Sequence, residues 1–157
     1  MKYEIYIKES KKPEDFYIRA MEEYKKRLSG DCKVRYHFIR RDKEWERLLA
    51  QEADEKNLLI RVTAGKADLT SEQFADRIGE WERMALRSLV FLISPQGEEE
   101  ADYGTLERES RLALSREGKS VNLCLSCFSM PVSMSAMILL EQIYRGYRIR
   151  NNQPYHK

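Results

Sequence analysis

Few residues in this 157-residue chain have side chains suited to nucleophilic or acid–base work. There are two histidines: His37, set in the alternating run Val34, Tyr36, Phe38, and His156, one residue from the last position. The first reads as a structural strand residue. The second lies in Asn151-Asn152-Gln153-Pro154-Tyr155-His156-Lys157, which either frays as an ordinary terminus or docks an aromatic and an imidazole into a site. Three cysteines, Cys32, Cys124 and Cys127, make an odd count, and no second pair completes a zinc site. The Cys124-Leu125-Ser126-Cys127 motif runs from strand into loop, whereas a redox pair opens a helix, so no metal and a reduced, cytoplasmic setting are expected. Neither GxGxxG nor GxxxxGK[ST] occurs, which excludes the common nucleotide cradles.

Charge narrows the choices further. Charged residues make up 34% of the chain, yet 28 Lys+Arg against 26 Asp+Glu leave a formal net charge of only +2. Binding to nucleic acid must therefore come from local basic patches. One candidate is the end of the chain, where Arg145, Arg148 and Arg150 interleave with Tyr144 and Tyr147. Such a pattern suits phosphate pairing and base stacking, and it equally suits the negative end of a helix. The opening run MKYEIYIKESKK has charges inside its apolar stretch and is no signal-peptide core. The longest apolar candidate, Met134 to Leu140, is about a third of the ~20 residues a membrane helix needs.

The elements that must position these groups alternate regularly. Strands are expected at Tyr3–Ile7, Lys33–Ile39, Leu58–Val62, Leu89–Ile93 and Val121–Leu125. Helices are expected at Pro13–Ser29 with Phe16, Ala20, Tyr24 and Leu28 as the apolar face and Gly30 as C-cap. Others follow at Asp42–Asp54, from Thr70 through Phe74, Ile78, Trp81 and Ala85, at Thr105–Arg116 and at Ser133–Arg150. Thr70 and Gln73 form a capping box, with Leu69 and Phe74 at the staple positions. Leu89–Ile93 is apolar throughout, as a central parallel strand covered on both faces must be. The pattern specifies one α/β domain over residues 1–157 with a mostly parallel sheet flanked by helices. Ligands in such sheets sit beyond the carboxyl ends of strands, which singles out the loops at Gly65, Ser94–Gly97 and Ser126–Pro131. The turn Ser94-Pro95-Gln96-Gly97 can also be a plain turn. The last helix, apolar nearly all round from Met134 to Leu140, must be buried, and a two-fold subunit interface would bury it.

The stretch Leu140-Glu141-Gln142-Ile143-Tyr144-Arg145-Gly146-Tyr147-Arg148-Ile149, followed by Pro154-Tyr155-His156-Lys157, resembles the RlmH family of SPOUT-superfamily methyltransferases. Val62-Thr63-Ala64-Gly65-Lys66, the turn after Ile93 and Met130-Pro131 resemble the family's cofactor segments. The resemblance implies a SPOUT-type trefoil-knotted α/β fold and a homodimer formed through the C-terminal helix. It also implies S-adenosyl-L-methionine as cofactor and methylation of N3 of a pseudouridine in large-subunit (23S) ribosomal RNA. Carried over by position, cofactor contacts fall on Ser94, Gly97, Ser126, Cys127, Phe128, Ser129, Met130 and Pro131. Catalytic roles fall on His156, Tyr155 and Arg145, and RNA contacts on Arg145, Arg148 and Lys157.

The chain departs from the family pattern near the chemistry. Ser94 stands where the family has glycine, Val132 where it has histidine and Ala136 where it has arginine. Arg61 stands at an apolar cofactor contact, and Glu98, Glu99 and Glu100 follow the turn. The alternative expectation is a divergent, catalytically impaired SPOUT-fold dimer that binds RNA or a protein partner.

Overall fold

Ser88–Ile93 is buried along its whole length, and the rest of the sheet is assembled around it. The computed structural model describes residues 1–65, 69–95 and 121–155. Its strands are β1 (Lys2–Lys8), β2 (Lys33–Ile39), β3 (Asn57–Ala64), β4 (Ser88–Ile93) and β5 (Val121–Ser126). Its helices are α1 (Asp15–Leu28), α2 (Asp42–Glu52), α3 (Ser71–Arg83) and α4 (Val132–Arg150). The strands form one sheet in the order β2-β1-β4-β3-β5, with every pairing parallel. The α/β architecture expected from the alternation is present, and β4 is the central strand.

Both faces of β4 are covered because its side chains alternate between two cores. Leu89, Phe91 and Ile93 join Tyr3, Ile5 and Ile7 of β1 and the apolar residues of α1, α3 and α4. Val90 and Leu92 join Tyr6, Ile39 and the α2 residues Trp45 and Leu49. Phe91 stacks on Tyr3 with centroids 6.2 Å apart and meets the edge of Trp81 at 6.3 Å. α4 packs chiefly against α3 and α1. Close approach to α3 depends on Gly146, where a Cβ would lie 2.9 Å from Ile78 Cδ1.

Local signals explain most boundaries and fail at three. The capping box of α3 is formed: Gln73 N–H donates to Thr70 Oγ1 at 3.3 Å, and Thr70 N–H donates to Gln73 Oε1 at 2.8 Å. α1 begins at Asp15, and its buried residues are Tyr17, Met21 and Leu28, while Phe16 is 57% exposed. The expected stripe ran in steps of four, whereas the observed one, with half-buried Tyr24, follows the 3.6-residue period more closely. Gly30 does not adopt a positive φ; Cys32 N–H bonds back to the Leu28 carbonyl at 2.9 Å, so the turn closes without a left-handed cap. Ala85 lies beyond α3, in a turn at φ 53°, and is exposed. The helix expected over 105–116 and the acidic run at 98–102 lie outside the described residues, as does the path of 96–120 on which threading of a knot depends.

Phe91→Ala should remove the contact between Tyr3, Trp81 and the central strand. A loss of about 3–5 kcal/mol is expected in urea unfolding followed by circular dichroism.

Candidate cofactor pocket and C-terminal tail

The carboxyl ends of β3, β4 and β5 frame a shallow pocket that is partly open to solvent. Thr63 from β3, Ser94 just after β4, Leu125 from β5, Phe128 and Met130 from the following loop and Ser135 from α4 line it. This is the end of the sheet at which the three loops were singled out. Several local features shape it. The register slips between Thr63 and Ala64, so that Thr63 faces Cys124 while Ala64 faces Ser126. A bulge of this kind bends the strand and re-aims its end. Gly65 follows at φ +151°, a conformation that a side chain rarely takes, and its N–H donates to the Ser126 carbonyl at 3.2 Å. Ser126 Oγ in turn accepts from the Phe128 N–H at 3.0 Å, which starts the loop toward α4.

Ser94 is buried, and its Oγ has no hydrogen-bond partner among the described residues. A buried hydroxyl left unpaired costs on the order of 1–3 kcal/mol, so a polar ligand group meeting it would recover that cost. The Ser133 hydroxyl at the start of α4 is also buried and unpartnered among those residues. α4 begins here without a side-chain cap. Phe128 is 75% exposed beside the pocket, an apolar ring placed where a planar ligand could pack. Polar hydroxyls at the base and soft apolar side chains at the mouth fit an adenine-bearing cofactor such as S-adenosylmethionine. Of the residues expected to contact it, Ser94, Phe128 and Met130 line the pocket. Ser126 shapes the loop, Cys127 and Ser129 are exposed within it, and Pro131 precedes α4. Arg61 is half-buried on β3 and is not among the lining residues. Gly97 lies outside the described residues.

Tyr155 is docked against α4 and α1. Tyr155 meets the Tyr144 ring edge-on at 4.8 Å, and the Arg145 guanidinium lies 5.8 Å from its centroid. The Tyr155 hydroxyl donates to Glu141 Oε1 and lies against the Tyr24 hydroxyl, each at 3.4 Å. Burial, then the Tyr24 hydrogen bond and the Glu141 charge, push this phenol above its ordinary range, so it stays neutral at physiological pH. Arg145 is bonded to Glu141 at 3.0 Å, Arg148 pairs with Asp31 and lies 4.8 Å from the Tyr144 centroid, and Arg150 pairs with Glu82 at 2.6 Å. Glu82 also accepts from the Tyr147 hydroxyl at 2.5 Å, and Tyr147 meets the Tyr3 hydroxyl at 3.1 Å. His156 and Lys157 lie outside the described residues. Tyr155 is beside Glu141 and Tyr144, six and nine positions along α4 from Ser135, or about 9 and 14 Å of axial rise. In one chain, then, the pocket and Tyr155 are separate.

Residues 1–156 match the family described as "Predicted SPOUT methyltransferase". This chain belongs to the SPOUT methyltransferase family. It is 31% identical over 157 residues to "Ribosomal RNA large subunit methyltransferase H 1" of Thermoanaerobacter sp. (strain X514), covering 100% of both chains. It is 33% identical over 166 residues to "Ribosomal RNA large subunit methyltransferase H" of Clostridium tetani, covering 96% of this chain and 97% of the other. The same name is carried by a Bifidobacterium animalis subsp. lactis relative, 32% identical over 163 residues. SPOUT methyltransferases use S-adenosylmethionine as methyl donor, consistent with the pocket. Among the described residues no cluster of His, Cys, Asp and Glu is set to hold a metal, and no helix is long and apolar enough to cross a membrane.

Sequence reasoning missed Thr63 and Ser135 as lining residues. Thr63 directly precedes a flagged loop, and Ser135 is one of two hydroxyls in the largely apolar first half of α4, so each carried a weak signal. The cysteines give a chemical readout of the site. Burial pushes the Cys32 thiol up to about 12, which leaves about one thiolate in ten thousand at pH 8. Cys124 is buried and Cys127 exposed. A disulfide reagent at pH 8 should titrate one thiol rapidly in the native protein and all three only after unfolding, and mass mapping should assign the fast one to Cys127.

Proposed function

We propose that this protein binds S-adenosyl-L-methionine at the carboxyl ends of β3, β4 and β5 and methylates ribosomal RNA. Its target is N3 of a pseudouridine in the large-subunit (23S) RNA. The observation that carries the reading is the buried Ser94 hydroxyl, unpartnered among the described residues, at the expected end of a parallel sheet, in a chain that matches SPOUT methyltransferases from residue 1 to 156. The names of the full-length relatives supply the substrate class. A non-catalytic RNA- or protein-binding role has no comparable support.

When bound, the cofactor supplies an electrophilic methyl group on its sulfonium sulfur. The chain's part is chiefly alignment, which can account for most of the acceleration in a transfer of this kind. Ser94 Oγ and the Thr63 and Ser135 side chains orient polar groups of the ligand, while Phe128 and Met130 pack against its apolar and aromatic parts and exclude water. Methylation of N3 would also require a base to take up the proton that N3 carries. His156 is the base suited to accept it near neutral pH. The neutral Tyr155 hydroxyl and Arg145 orient the nucleotide, and Arg148 and Lys157 meet its phosphates, Arg148 by sharing its charge with Asp31.

The separation of Tyr155 from the pocket favours a homodimer in which α4 packs against its copy and each tail serves the partner's pocket. A trefoil knot and a cytoplasmic location complete the reading.

Purified protein should be incubated with the cofactor and ribosomal particles or RNA from cells lacking the modification. Nucleoside mass spectrometry should then show a pseudouridine one methyl group heavier, and His156→Ala should lower the rate at least tenfold. Unmodified RNA alongside an active control enzyme would refute the reading. Sedimentation should give a dimer.

A further inference from the structure

The arginines at the end of α4 are already neutralised by Glu141, Asp31 and Glu82. The opposite edge of the sheet is different. From Lys33 to Lys43 the chain carries Lys33, Arg35, Arg40, Arg41 and Lys43 against the single carboxylate Asp42, a net +4. Since the whole chain carries +2, everything outside this segment sums to −2. All five cations are exposed, and none forms an ion pair among the described residues. Asp42 is taken up by Lys8 at 3.1 Å. The next turn of α2 adds Glu44, Glu46 and Arg47 and removes one charge from the total, so the excess remains.

The placement is as informative as the charge. β2 is the strand at one end of the described sheet, and Lys33 and Arg35 project from the same face, about 6.6 Å apart. That interval is close to the separation of successive phosphates along a nucleic acid strand. The series continues past the carboxyl end of β2 into Arg40, Arg41 and Lys43. This corner is fixed to β1 by the Glu9 N–H, which donates to the Ile39 carbonyl at 3.0 Å. The carboxyl end of β2 is on the same side of the sheet as the pocket, and Ser94 follows the strand two places away, about 10 Å across the sheet. Lysines on an edge strand also deter edge-to-edge pairing. That role does not call for the three further cations beyond the strand's end.

We infer that the face formed by Lys33, Arg35, Arg40, Arg41 and Lys43 is a docking surface for the phosphate backbone of RNA. It holds the strand flanking the nucleotide that enters the pocket. The inference rests on the RNA-methylation reading above and extends it by assigning the surface that supplies affinity apart from the site of chemistry. Cations without protein partners are those whose binding to phosphate releases counterions, so the salt dependence of binding should originate here.

The test compares wild type with R40Q/R41Q/K43Q as full-length proteins. Binding of a fluorescein-labelled transcript of large-subunit ribosomal RNA is followed by anisotropy from about 50 to 200 mM KCl. Losing three phosphate contacts should lower the slope of log K against log salt by about 2, and affinity at about 100 mM should fall on the order of tenfold. Binding of S-adenosylhomocysteine and the melting temperature should be unchanged, which shows that the fold and pocket are intact. An unchanged slope and affinity in a folded variant would overturn the docking surface while wild-type methylation still stands. Wild type that neither binds nor methylates ribosomal RNA would remove the functional reading and this inference with it.

Discussion

A strand with apolar side chains on both faces is stable only when both faces are covered, and β4 imposes that condition on the whole molecule. Its six buried residues require a parallel neighbour on each side and helices above and below. Once α1, α3 and α4 cover one face and α2 the other, the strand ends are the part of the sheet left for a ligand. Position of the pocket is therefore a consequence of how the core is satisfied. The buried Ser94 hydroxyl directly after β4, unpartnered among the described residues, is the polar group that this arrangement leaves in the pocket.

The second constraint is the hold on α4. Tyr3 and Tyr147 meet through their hydroxyls in the core, Tyr147 donates to Glu82, and Arg150 closes the chain on the same carboxylate. Gly146 allows the close approach to Ile78. These contacts tie α4 to β1 and α3, so Met130, Ser135 and the docked Tyr155 are placed by one rigid element. They also tie down the guanidinium groups of Arg148 and Arg150, so a phosphate that meets Arg148 shares it with Asp31. Among the described residues, Lys33, Arg35, Arg40, Arg41 and Lys43 on the far edge of the sheet form no such pairs.

Much of this was legible because it rests on periodic burial. The apolar run of β4, the capping box at Thr70 and Gln73, and the carboxyl-end loops all follow from local patterns with a physical cause. What escaped was decided by tertiary contacts. Phe16 and Tyr17 are adjacent and both aromatic, and only packing against the sheet selects Tyr17. Ala85 takes a positive φ that its type does not signal. The pairing of Arg145, Arg148 and Arg150 with Glu141, Asp31 and Glu82 is likewise absent from any local pattern. Ser135 lines the pocket from the first turn of α4, beside Phe128 and Met130 of the preceding loop, a juxtaposition that spacing does not record.

The central claim is that a serine in place of glycine after β4 leaves a working cofactor pocket. Calorimetric titration of the purified protein with S-adenosylhomocysteine tests it most directly, because it isolates the pocket from RNA recognition and from proton transfer. The account predicts saturable binding in the micromolar range that weakens severalfold in Ser94→Ala, through loss of the ligand contact to the hydroxyl. Absence of binding at millimolar ligand would contradict it.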